Sequence, residues 1–148
     1  MSENRTPFIR PLRSKEPSIG SGVFLAETAQ LIGDIEIGEG SSIWYNAVLR
    51  GDVFPIKIGK RTNIQDNCTL HGTHKKCGVT LGDDVTIGHN VILHGCTVED
   101  CSLIGMGSIV MDEAVIPKNC VVGAGSLVTE GSRFEEGDLI IGRPAKAK

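Results

Sequence analysis

Histidine is the side chain best placed to do chemistry in this sequence, and its four copies are clustered. His71, His74, His89 and His94 fall within 24 of the 148 residues. Neutral imidazole is a common ligand for divalent metals, and three such ligands leave a coordination position open for water. Bonds of about 2.0–2.1 Å allow little error in placement. The question is which elements could bring three of these rings to one ion.

The element is a repeat. Aliphatic residues recur every six positions at Ile19, Leu25, Leu31, Ile37, Ile43 and Leu49, then at Ile58, Ile64 and Leu70. The series resumes at Leu81, Ile87 and Leu93, and again from Val98 through Ile104, Val110, Ile116 and Val122 to Val128. Four places after most of them stands a small or β-branched residue, such as Ala47, Thr62, Cys68, Val91, Thr97, Ser102 or Cys120. A period of six is neither helical nor simple strand alternation. It suits a coil of three short flat faces, with the aliphatic side chain inside and the small one beside it near a corner. Such a rung cannot bury its own apolar face, so rungs must stack, about 4.8 Å apart.

The phase breaks three times. Leu49 to Ile58 is a step of nine residues, Leu70 to Leu81 a step of eleven, and Leu93 to Val98 a step of five. These are insertions around Val53–Pro55 and around His74–Gly78, and one deletion. All three adjoin the histidines. Insertions in solenoids become loops at functional edges.

With insertions looped out at corners, Leu49, Leu70 and Leu93 stack on one face. The residues after them, Arg50, His71 and His94, then form one outward column. On the neighbouring face Ile43, Ile64 and Ile87 stack, which makes Tyr45, Asp66 and His89 another column. His71 and His94 are close enough to share a metal. His89 lies round a corner, more than about 10 Å away at about 3.3 Å per residue. One chain could not easily bring all three to one metal, whereas two faces from two chains could. A three-fold assembly would make three equivalent sites.

Composition sets limits around this reading. Length favours one domain, with 1–18 as a lead-in, 19–128 as the coil and 129–148 as a tail. The core must be built from small aliphatics, because aromatics are only 4% of the chain while glycine numbers 19. The net charge of −3 and the lack of a basic block argue against nucleic acid as a partner. No apolar run approaches a membrane span. Met1 to Arg13 is polar, without a signal-like stretch, so cytoplasm is the expected compartment. Five cysteines with no CxxC pair suggest free, mostly buried thiols.

Ile43 to Asp52, Asn63-Ile64-Gln65-Asp66-Asn67, Leu70-His71-Gly72 and Gly88-His89-Asn90 through Leu93-His94-Gly95 resemble the γ-class carbonic anhydrase family. Gly105-Met106-Gly107, Val122 to Gly125 and Gly142 to Lys146 match it as well, so the resemblance spans nearly the whole chain. It implies an all-β, left-handed parallel β-helix of hexapeptide repeats. The hand comes from the resemblance alone, since parallel crossovers are normally right-handed. It also implies a homotrimer holding Zn2+ (or Fe2+ or Co2+) on His71 and His94 of one chain and His89 of the next. The implied activity is reversible hydration of CO2 to bicarbonate by a metal-bound hydroxide at the subunit interface. Gln65 would orient the hydroxide or bicarbonate, with Asn63 a nearby polar group. Arg50 and Asp66, on the two faces that meet, would pair between subunits with Asp52 in support, a structural role more than a chemical one.

Two features depart from the family pattern. Some active members carry an acidic loop that shuttles protons, whereas Thr73-His74-Lys75-Lys76-Cys77-Gly78 has no carboxylate. His74 is the candidate substitute, and weak hydration activity is the expectation. Family members also continue into a C-terminal helix after Gly142 to Lys146. Here residues 129–148 would run back along the coil, with Leu139, Ile140 and Ile141 as their apolar patch. The competing readings are a metal-dependent thioesterase or esterase, a non-catalytic trimeric scaffold and, less favoured, an acyl-CoA-dependent acyltransferase, which needs one catalytic histidine and no metal.

Overall fold

The computed structural model describes residues 6–148, so the first five residues of the lead-in lie outside the described residues. The described chain is all strand and turn, wound into a left-handed parallel β-helix of about seven turns. Most strands are two or three residues long, the length one flat face allows. One face is an eight-stranded sheet, and the other two merge into an eleven-stranded sheet through the long bent strands Gln30–Ile37 and Val48–Ile58.

Inside, the six-residue period is realised directly. Leu49 pairs in register with Leu70 and Leu70 with Leu93, while Ile43 pairs with Ile64 and Ile64 with Ile87. Leu31, Ile43, Leu49, Ile64, Leu70, Ile87, Leu93 and Ile104 are wholly buried. Buried hydroxyls at the small positions are bonded to carbonyls of neighbouring rungs. Ser41 Oγ donates to Gly59 O at 2.8 Å, Thr62 Oγ1 to Gly82 O at 2.7 Å and Ser102 Oγ to Pro117 O at 2.7 Å. Their desolvation is thereby compensated, which lets them line an otherwise apolar bore. Asn46, Asn67 and Asn90 turn one corner with φ near +60°, a conformation asparagine tolerates better than most residues.

The structure refines the sequence reading at several places. The insertion around Val53–Pro55 does not leave the sheet. Val48–Ile58 runs as one strand, and the extra residues form a bulge where its register against Gln30–Ile37 shifts. The second insertion does project, as a tight turn closed between Thr73 and Cys77. At the deletion it is Cys96, 1% exposed, that fills the small interior position expected of Thr97, because the shortened corner moves the inward-facing residue one place earlier. Ile19 is 38% exposed, since it sits on the end rung and is paired on one side alone.

The coil also extends beyond the repeat at both ends. Phe8–Arg10 pairs in parallel with Gln30–Ile37. Leu139–Gly142 pairs in parallel with Val121–Val122, adding a further rung inside the segment read as a returning tail. Only Ala145–Ala147 doubles back, antiparallel to Leu139–Gly142.

Candidate metal centre

Arg50, His71 and His94 are Cα partners across three adjacent strands, forming the column that the repeat implies. His71 and His94 end the strands Thr69–His71 and Ile92–His94, where each chain segment reaches a corner and the side chains project outward. Their ring centroids are 5.2 Å apart. His71 Nδ1 faces His94 Nε2 at 3.2 Å.

The remaining nitrogens are bound to carboxylates. His71 Nε2 lies 3.0 Å from Asp52 Oδ1, whose other oxygen accepts from Arg50 Nη1 at 2.6 Å. His94 Nδ1 lies 2.6 Å from Asp112 Oδ1. An ionised carboxylate can only accept, so the network assigns the ring protons to His71 Nε2 and His94 Nδ1. In neutral rings, the two nitrogens that face each other then carry lone pairs and no hydrogen. Two acceptors at that distance repel unless a cation stands between them. Two ligands on one tetrahedral zinc, with bonds of about 2.05 Å, are about 3.3 Å apart. The pair therefore fits a shared metal ion.

Both supporting carboxylates are held ionised. Burial works to raise Asp52, but hydrogen bonds from Arg50 and His71 and the charge of Arg50 outweigh it and leave the group below its ordinary 3.8. Burial likewise opposes ionisation of Asp112, and is outweighed by Thr73, His94 and the charge of Lys76. Carboxylates behind metal-binding imidazoles fix the tautomer and raise ligand basicity.

His89 projects from the adjacent column and is about half exposed, with Nδ1 2.9 Å from Asp66 Oδ2. This leaves its Nε2 directed away from its own support. Among the described residues no group of three or more His, Cys, Asp or Glu side chains is arranged to hold a metal within one chain. Two of the three expected ligands are thus brought together, and His89 is not brought to them by this chain.

The other expected residues occupy distinct places. Asn63 Oδ1 accepts from Ser42 Oγ at 3.0 Å, and Ser42 Oγ accepts from Trp44 Nε1 at 3.2 Å. Gln65 is half-buried, one residue past the inward Ile64. Within the chain Arg50 pairs with Asp52, and Asp66 lies on His89. His74 is exposed in the Thr73–Cys77 turn. Asp112 was missed, because it is 18 residues beyond His94 and in register with Gly95, outside the histidine columns. The signal available was Gly95 itself. With φ of +60° it leaves open the space that Asp112 crosses, and a Cβ there would stand 2.6 Å from Asp112 Oδ1.

No family model matches the chain. It is 47% identical over 139 residues to a carbonic anhydrase of Geobacillus kaustophilus, covering 94% of this chain and 76% of that protein. It is 44% identical over 151 residues to the mitochondrial gamma carbonic anhydrase 2 of Arabidopsis thaliana, covering 99% of this chain. The chain spans only about half (54%) of the length of that plant relative. Among solved structures, a Bacillus cereus protein described as a candidate acetyltransferase superposes with a TM-score of 0.92 at 46% identity, over 97% of this chain and 83% of that one.

Proposed function

The chain belongs to the γ-class carbonic anhydrase family, and from that premise we propose that it is a trimeric metalloenzyme interconverting CO2 and bicarbonate. His71 and His94 of one subunit would hold the ion together with His89 of the partner subunit. The observation that carries this reading is the pair of imidazole nitrogens facing each other at 3.2 Å, each ring backed by its own carboxylate. Zinc is the first choice, with Fe2+ or Co2+ as substitutes of similar imidazole preference. A divalent ion bound there would act as a Lewis acid and bring water towards deprotonation at neutral pH, as CO2 hydration requires.

The chain's own residues would do the rest. Asp52, Asp66 and Asp112 fix the three rings. Gln65 offers both a donor and an acceptor to orient bicarbonate, and Asn63 adds a second amide on the same face. Arg50 uses one of its five N–H donors on Asp52 and keeps others for Asp66 of the partner subunit. His74 would pass protons to solvent from the turn, which has no carboxylate of its own.

Metal content of protein purified without chelators, read beside stopped-flow CO2 hydration, tests the proposal. About one ion per chain with hydration supports it. Metal without hydration moves the reading to ester or thioester hydrolysis by the same site. The candidate-acetyltransferase description of the 46%-identical Bacillus cereus structure favours one second reading, acyl transfer from an acyl-CoA. Acetyl-CoA turnover by metal-stripped protein would establish it instead.

A further inference from the structure

Asp112 is the point at which three separate stretches of chain meet. Its Oδ1 accepts from His94 Nδ1, and its Oδ2 accepts from Thr73 Oγ1 at 2.6 Å. Thr73 immediately precedes the five-residue insertion, and its amide donates to Cys77 O at 2.9 Å, closing the turn. Lys76 leans back from the turn to within 3.7 Å of Asp112 and 3.5 Å of Glu113, and its ammonium also pairs with Glu130. The Asp112 side chain is only 15% exposed, so little water competes for these bonds.

Resting on the metal reading above, we propose that Asp112 is the positioning residue for His94 and couples that ligand to the insertion. An imidazole at a strand end can rotate and exchange tautomers. Asp112 removes both freedoms by keeping the proton on Nδ1 and aiming the Nε2 lone pair at His71. Thr73 occupies the second carboxylate oxygen, so the carboxylate cannot swing away without opening the base of the turn. The insertion, which lacks an acidic residue, thereby acts on the site by fastening a ligand. Gly95 is required between them, because any side chain there would push Asp112 off His94.

The test compares wild type with Asp112→Ala, Asp112→Asn and Thr73→Val in the full chain. Zn2+ affinity is measured by competition with a chromophoric chelator, the Co2+ visible spectrum reports ligand geometry, and imidazole 15N shifts in metal-free protein report the His94 tautomer. Asp112→Ala is expected to weaken Zn2+ binding about 10–100-fold. It should also alter the Co2+ spectrum and turn a single Nδ1–H tautomer into a mixture. Asp112→Asn keeps an acceptor oxygen for His94 and should retain the tautomer with weakened affinity. Thr73→Val should lose affinity to a smaller degree. Unchanged affinity, spectrum and tautomer in Asp112→Ala would overturn the role. Should that variant fail to fold, an Asp112→Asn protein with wild-type affinity and spectrum would overturn it equally. A wild type that binds no Zn2+ would overturn the metal reading instead, and the tautomer in metal-free protein would still decide the fate of Asp112.

Discussion

Arg50 and Asp52, two residues apart on one strand, are bonded at 2.6 Å, and the far oxygen of the same carboxylate holds His71. Arg50, read from sequence as an interface contact, is therefore linked through one carboxylate to His71, the proposed metal ligand. Arg50→Ala should both weaken subunit association and lower metal affinity. Sedimentation velocity and a metal-competition assay on the same preparation check the two effects. Loss of association with full affinity would confine Arg50 to assembly, and an unaltered oligomer would remove it from the interface.

Gly95→Ala should be costly out of proportion to one methyl group. The backbone φ of +60° disfavours any L side chain, and the new Cβ would meet Cys77 Sγ at 2.4 Å and Asp112 Oδ1 at 2.6 Å. A destabilisation of about 1–3 kcal/mol is expected from the conformation alone. Urea titration measures it. A fall in Zn2+ affinity larger than that seen in another destabilised variant, Ile87→Val, would trace the added loss to Asp112.

Much of this arrangement was legible beforehand, for a physical reason. A coil with three equal faces converts sequence spacing into position. Leu49, Leu70 and Leu93 thus located Arg50, His71 and His94, and Ile87 located His89 round the corner. What spacing could not show lay where the period is broken. The Val53–Pro55 insertion became a bulge inside a continuous strand, because Ile56 and Ile58 regain pairing at once. Cys96 displaced Thr97 from the core for the same kind of reason. Asp112 was hidden because its reach depends on a missing side chain at Gly95, and the apolar pattern carries no mark of that.

Acid should destabilise the coil through its corner ion pairs. The side-chain bonds from Arg61 hold Asp84 below 3.8, and Asp100 is held below it by the Asp83 amide and by Lys118. A depressed folded value means the unfolded chain binds more protons in acid. The contribution is therefore complete above about 3.8 and is lost as the pH falls through the lower folded values. Urea midpoints between pH 6 and 2.5 should decline below about 4. Arg61→Ala should flatten that decline, and an unchanged slope in the variant would exclude this pair as its source.

Thiol chemistry should separate the cysteines by position. Burial pushes Cys96 up to about 12 and Cys68 up to about 11, and both are enclosed by the coil. Cys101 is exposed at a corner. Iodoacetamide at pH 8 should modify Cys101 in native protein and reach Cys68 and Cys96 only after denaturation, as read by peptide mass spectrometry. Modification of Cys96 in the native state would show that the rungs beside His94 open readily.

The most direct test of a site shared between subunits is complementation. His71→Ala and His89→Ala each remove a proposed ligand, and neither protein alone should bind Zn2+ tightly. Co-expressed in equal amounts and mixed at random in trimers, they should leave about one interface in four with His94 and His71 from one chain and His89 from the next. Recovery of Zn2+ binding to about a quarter of the wild-type level is the result this account predicts. Full binding by His89→Ala alone, or none in the mixed trimers, would contradict it.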